Sequence, residues 1–133
     1  MRNDKTVMIV EDDPLLSIVE EKLVTLLGYE VKGKARSGEE AIDRIFDIDP
    51  SILIMDVQLS GELNGIETIQ NLRDKQINIP VIFLSGDDSA AIKQKAQDLD
   101  CVDFLLKPVT KNMLSNSLSK AVAATELKSS FAA

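Results

Sequence analysis

Short continuous apolar runs alternate with longer amphipathic stretches along the whole chain. The run Thr-Val-Met-Ile-Val at residues 6–10 has no polar alternation, the pattern of a strand buried on both faces. Asp13-Pro14 then opens a helix, with Asp13 as the N-cap and Pro14 at the first helical position. Leu15, Ile18, Val19, Leu23, Leu26 and Leu27 recur at three- and four-residue spacing and predict its buried face, and Gly28 sits where the helix should end. Residues 29–35 read as a weaker second strand. Ser37 and Glu40 have the spacing of a capping box, followed by Ala41, Ile42, Ile45 and Phe46 on one expected helix face.

The same alternation continues to the end. Residues 51–55 and 80–84 (Pro-Val-Ile-Phe-Leu) are strand-like, and 102–106 give a fifth strand. Between them, residues 65–76 place Ile66, Ile69 and Leu72 on one helix face, and 89–99 form a fourth helix. From Thr110, a last helix is marked by Met113, Leu114, Leu118, Ala121 and Val122. Five βα units in order, without a composition break or internal repeat, predict an α/β fold: a doubly wound, flavodoxin-like five-stranded parallel sheet, (βα)5. The domain is expected to span residues 1–125, with 126–133 a frayed tail or linker.

Composition narrows the chemistry. The chain has 133 residues, enough for one hydrophobic core without covalent staples. One cysteine excludes a disulfide framework and thiolate metal clusters and suits a reducing cytoplasm, and Cys101 is expected simply to pack near the fifth strand. No apolar run approaches the roughly 20 residues a bilayer needs, so no membrane association is expected. A net charge of −7 repels phosphate backbones and argues against direct nucleic-acid binding. The absence of histidine excludes histidine-based nucleophile activation, HExxH zinc sites and imidazole proton shuttles. Carboxylates, hydroxyls and lysines remain, a set that suits hard cations.

In an open α/β sheet, ligands bind beyond the carboxyl ends of the strands. The first strand delivers Glu11-Asp12-Asp13 there, the third Asp56, the fourth Ser85 and the fifth Lys107-Pro108. A dinucleotide fold would need a glycine-rich turn after the first strand, and a flavin fold a carboxylate-free phosphate loop; a triply acidic turn repels both phosphates. A haloacid-dehalogenase phosphatase would carry a second aspartate two residues after the first, where this chain has Gln58.

These residues closely resemble the receiver domain of two-component response regulators. Receivers carry an acidic pair after the first strand, a phosphorylatable Asp ending the third, Ser or Thr ending the fourth, and Lys-Pro after the fifth. Here those are Glu11 and Asp12, Asp56, Ser85, and Lys107 with Pro108, and the resemblance covers residues 5–124. It implies that Asp56 accepts a phosphoryl group in a Mg2+-dependent reaction, held by Lys107 and Ser85. It further implies direct metal ligation by Asp12, Asp56 and the backbone carbonyl of Gln58, with Glu11 holding a metal-bound water. Three carboxylates against Lys107 and a divalent cation balance in charge, and packed carboxylates need such a cation. Ser85 and Phe104 would be the switch pair. Asp13 is expected to be only a helix cap.

The chain departs from the common receiver pattern at three places. Ser60 stands where a proline is usual and the loop after Asp56 is one residue longer; Asp100 and Val102 replace a Gly-Ala pair; and Phe104 replaces the more frequent tyrosine, so the switch ring has no hydroxyl. The implied donor is a histidine kinase or a histidine phosphotransfer protein, since the chain holds no histidine of its own. A downstream protein would read the last helices, with a phosphorylation-dependent homodimer as one form of output. Self-phosphorylation and autodephosphorylation would be its only chemistry, which makes it a switch rather than an enzyme. Two alternatives are a receiver-like interaction module without phosphotransfer, and a receiver excised from a hybrid histidine kinase or longer regulator. Only 26 residues follow Lys107, and the last helix needs them, so no DNA-binding output is expected within them.

Overall fold

The computed structural model describes the backbone of residues 3–132 and the side chains of residues 3–127. Five strands and five helices alternate as β1 (Thr6–Val10), α1 (Pro14–Leu26), β2 (Glu30–Ala35), α2 (Gly38–Ile48), β3 (Ile52–Asp56), α3 (Gly65–Asp74), β4 (Val81–Ser85), α4 (Ala90–Asp98), β5 (Asp103–Leu106) and α5 (Lys111–Ala132). The strands form one parallel sheet in the order β2-β1-β3-β4-β5. The expected doubly wound architecture is the observed one.

Period-two alternation is present inside the continuous apolar runs, but both faces are covered. Met8, Val10, Leu53, Met55, Val81 and Phe83 face one layer, packing with Ala41 and Ile45 of α2, Ile69 and Leu72 of α3, and Ala96 of α4. Val7, Ile9, Ile52, Ile54, Ile82 and Leu84 face the other, against Val24 of α1 and Leu114, Leu118 and Ala121 of α5. β1, β3 and β4 are buried along their whole length, which is why their sequences read as unbroken apolar runs. The chain winds from β1 to β2 on one side and on to β3 on the other, so the sheet order reverses at the β1/β3 boundary. A crevice opens there at the carboxyl ends of the strands.

Local chemistry fixes the elements around that crevice. Asp13 caps α1 by accepting from the Leu15 and Leu16 amides at 2.9 and 3.2 Å, as the Asp-Pro pair predicts. Ser37 caps α2, accepting from Glu40 N at 3.1 Å, but the expected box is only half formed: the Glu40 carboxylate turns to Arg36 N at 2.6 Å. The reciprocal box is instead at α3, between Asn64 and Glu67, where each side chain accepts from the other's amide. Gly65 follows that cap, and a Cβ there would lie 2.1 Å from the Asp56 carbonyl oxygen. Only glycine lets α3 start directly against the end of β3, where its amide donates to the Val57 carbonyl at 2.9 Å.

Two expectations about the helices are corrected. α1 turns Ser17, Glu20 and Val24 to the interior and leaves Leu15, Ile18, Val19 and Leu26 between 44% and 71% exposed. The apolar residues at three- and four-residue spacing mark a side of the helix roughly opposite the one that packs, so the pattern singled out the wrong face. Phe46 is 77% exposed although Ala41 and Ile45 are buried, because it lies about 100° around the helix from Ile45. α5 runs on to Ala132, and the stretch after Thr125 contains neither Gly nor Pro to stop a helix. Among the described residues no helix is long and apolar enough to cross a membrane.

Candidate functional site

Glu11, Asp56, Ser85 and Lys107 stand at or just past strand ends, Asp12 and Gln58 in the loops that follow and Phe104 within β5, and they do not all meet. Glu11 follows β1, with its amide bonded to Ala35 O of β2 at 3.1 Å, and Asp56 ends β3. Lys107 follows β5, its amide bonded to Ser85 O at 2.8 Å. Its ammonium reaches across the crevice to Glu11 Oε1 at 2.9 Å and Asp56 Oδ2 at 3.0 Å. Glu11 and Asp56 are almost completely buried, at 1% and 2% exposure. Asp12 is half-buried at the rim, and carboxylate oxygens of Glu11, Asp12 and Asp56 lie within 4.8 Å of one another. Together with Gln58 and Gly86, these residues line an open cleft of about 480 Å3.

Electrostatics makes this cluster incomplete. Three carboxylates face a single ammonium in a partly desolvated cleft, and like charges this close repel strongly. Burial pushes the Asp56 carboxyl up to about 7, helped by Glu11 and opposed by Lys107. Burial also works to raise Glu11, but hydrogen bonds with Asp56, Glu20 and Lys107 outweigh it and hold that group at about 2. Lys107 is raised: burial works against its charge, and its two carboxylate partners prevail. All the charged ligands available are hard oxygens, so the donor set fits a hard divalent cation and no softer metal.

Two groups that the sequence did not point to complete the site. Glu20 of α1 is 3% exposed behind Glu11, and its Oε1 has no hydrogen-bond partner. Burial first, and then the neighbouring Glu11, push its carboxyl up to about 9. Burial and the nearby Glu11 thus favour the neutral form of Glu20, while Glu11 favours its charged form. No sequence signal marked Glu20, because the apolar residues of α1 outline the opposite side of the helix. The sign of its effect on stability is definite. The unfolded carboxyl loses its proton near 4.5 and the folded one near 9, so between these values the native state binds more protons and stability falls as pH rises. Glu20→Gln supplies the donor permanently. The metal-free variant is expected to gain on wild type in denaturant midpoint steadily from pH 5 to pH 9; equal midpoints at both ends would refute a raised Glu20.

The second group is the side chain of Gln58. Ser85 does not touch Asp56: its hydroxyl is fully buried and bonded to the Gln58 side chain and to the backbone of Asp87. Gln58 N donates to Asp56 Oδ1 at 3.1 Å, and Ser60 N donates to Asp12 Oδ2 at 3.1 Å, so the long loop after β3 hangs on two site carboxylates. Its far end is held by Glu39 of α2, which accepts from Leu63 N at 2.7 Å. Phe104, opposite Phe83 in the β4/β5 register, is partly buried against the α2–α4 layer. Cys101 packs half-buried against the same layer, as expected. Asp13 is a cap and stays outside the cluster.

Comparison with known proteins agrees with this geometry. Residues 7–119 match the family described as response regulator receiver domain. The chain is 30% identical over 116 residues to the chemotaxis protein CheY of Thermotoga maritima, covering 87% of this chain and 96% of that protein. It is 31% identical to the probable C4-dicarboxylate response regulator DctR of Bacillus subtilis, of which it spans 53%. Among solved structures, the receiver domain of a modulated diguanylate cyclase from Desulfovibrio desulfuricans superposes with a TM-score of 0.83 at 32% identity, covering 92% of this chain and 97% of that one. A CheY-like receiver from Methanospirillum hungatei has the same TM-score at 18% identity, which speaks for the fold. With acidic residues after β1, an aspartate ending β3, a hydroxyl ending β4 and a lysine after β5 all in place on this sheet, the chain belongs to the response regulator receiver domain family.

Proposed function

We propose that Asp56 is the phosphoryl acceptor, and that Lys107, Ser85 and the acidic residues serve it. The observation that carries this reading is the Lys107 ammonium, shared between Glu11 and Asp56 at 2.9 and 3.0 Å at the mouth of the cleft. An ionised Asp56 oxygen attacks phosphorus; the P–N bond of a phosphohistidine breaks, and its electron pair and a proton go to the departing imidazole. The product is an acyl phosphate, which exchanges one negative charge for about two. Lys107 neutralises a phosphoryl oxygen, and the Ser85 hydroxyl turns inward to donate to another. Asp12, Asp56 and the Gln58 carbonyl would hold Mg2+, with Glu11 on a bound water. Mg2+ in that place supplies charge neutralisation for the in-line transfer. Hydrolysis later restores the carboxylate.

With no histidine in the chain, the phosphoryl donor is a histidine kinase or phosphotransfer protein in the cytoplasm. Rearrangement at Ser85 and Phe104 would change the α4–α5 side that a downstream protein, or a second copy of the chain, reads. Residues 1–125 are proposed as the working unit, and no external substrate is turned over.

Incubation with acetyl phosphate and Mg2+ tests this reading. Wild type should gain one phosphoryl group by intact mass, and gain none when Mg2+ is chelated. Ser85→Ala should still be labelled, because nucleophile and metal ligands are unchanged. Its beryllofluoride-induced NMR shifts from residue 90 to 121 should shrink, since a lost hydrogen bond to a charged oxygen is worth about 1.5–3 kcal/mol. No mass gain in wild type would favour an interaction module without phosphotransfer, and undiminished shifts in Ser85→Ala would remove Ser85 from the switch.

A further inference from the structure

The Gln58 carboxamide is held at both ends. Gly86 N donates to its Oε1 at 2.8 Å, and an amide nitrogen could not accept there, so Nε2 must be the atom that donates to Ser85 Oγ at 2.9 Å. That hydroxyl is then saturated. It accepts from Gln58 Nε2 and from Asp87 N at 2.9 Å, and of the two acceptors within reach its single proton favours the Asp87 carbonyl at 2.7 Å over Gln58 Oε1 at 3.3 Å. Ser85 is fully buried while Gln58 is in place.

Phosphoryl oxygens are acceptors only. A phosphoryl group on Asp56 would look for donors in the cleft that Gln58, Gly86 and Lys107 share with it. Besides the Lys107 ammonium and the amides of Gln58 itself, the donors beside that cleft include the Ser85 hydroxyl and the Gly86 amide. The Gln58 carboxamide is bonded to both.

We propose that Gln58 is a positioning residue that latches the unphosphorylated state: its side chain engages Ser85 and Gly86, so the phosphoryl group must displace it to switch the domain. This rests on Asp56 being the acceptor. Release of Gln58 frees the Gly86 N–H, opens one acceptor position on Ser85 and lets the hydroxyl rotate from Asp87 toward the phosphoryl oxygen. The latch raises the level of phosphorylation needed for output, and it is independent of the backbone carbonyl of the same residue. A competitor held by one or two net hydrogen bonds is worth about three- to tenfold in an equilibrium.

Beryllofluoride with Mg2+, which stands in for the phosphoryl group on the carboxylate, tests the latch. Gln58→Met keeps the length of the side chain and removes both hydrogen bonds. It should bind beryllofluoride about three- to tenfold more tightly than wild type, and the gain should shrink in a Ser85→Ala background, where one of the two contested donors is already gone. Equal or weaker binding by Gln58→Met would overturn the latch while leaving Asp56 as acceptor. Wild-type NMR gives a second readout that needs no variant to fold. The Gln58 side-chain amide and the Gly86 backbone amide should both shift on beryllofluoride addition, and unmoved signals would overturn the latch. Failure of wild type to bind beryllofluoride at all would remove the acceptor reading, and the latch with it.

Discussion

Asp56→Asn is expected to reduce phosphorylation to background, from a kinase and from acetyl phosphate alike. The substitution keeps the shape of the side chain and the amide bond from Gln58 N can survive, so the fold has little reason to change. What disappears is the nucleophile: an amide oxygen attacks phosphorus poorly and cannot yield a stable acyl phosphate. No neighbouring group can take over easily. Glu11 is buried beneath Lys107, and Asp12 lies at the rim with one oxygen engaged by Ser60 N. The variant should also be easier to fold at neutral pH, since it removes one of three crowded carboxylates while Lys107 keeps its bond to Glu11. Hydroxylamine-labile label retained on Asp56→Asn would place the acceptor elsewhere in the cluster.

Asp12→Ala should weaken Mg2+ binding by about 10–100-fold or more, the scale on which even supporting groups around a metal act. Without Asp12 the cluster keeps Glu11 and Asp56, and both already share Lys107. The remaining pair therefore has much less negative charge to offer a cation. Asp12 has a second role to separate from this, because its Oδ2 accepts from Ser60 N and helps hold the loop. Asp12→Asn retains an acceptor for that bond and loses only the charge, so it should fall nearly as far as the alanine variant if ligation is what matters. Calorimetric titration is the suitable measurement, as the chain has no tryptophan to report binding. Affinity unchanged in both variants would refute Asp12 as a ligand; loss in the alanine variant alone would assign the effect to the loop.

Residues that answer to one strong force were legible in the sequence. The central strands are buried on both sides, so their apolar runs admit no other reading, and strand ends then fix where Glu11, Asp56, Ser85 and Lys107 emerge. α1 failed because its apolar residues exceed what the sheet can cover. The helix is turned by its contacts, with Val24 in the core and Glu20 against Glu11, and Leu15 and Leu26 are left outside. Glu20 was invisible for the same reason: a charged residue predicts exposure unless its partner is known, and Glu11 is nine positions away on another element. The Gln58 latch joins residues 27 and 28 positions apart, and nothing local in the loop announces such a pair. The α3 capping box, by contrast, is spelled out by the three-residue spacing of Asn64 and Glu67.

The central claim is chemical: a phosphoryl group carried by the carboxylate of Asp56. Borohydride reduction of the phosphorylated protein converts an aspartyl phosphate to homoserine and leaves free carboxylates untouched. Peptide mass spectrometry then reads the position directly. Phosphorylation by a histidine-kinase donor in Mg2+, followed by reduction, should place homoserine at position 56 and nowhere else. Reduction at position 11 or 12, or a phosphorylated protein with no reduced residue at all, would contradict the account.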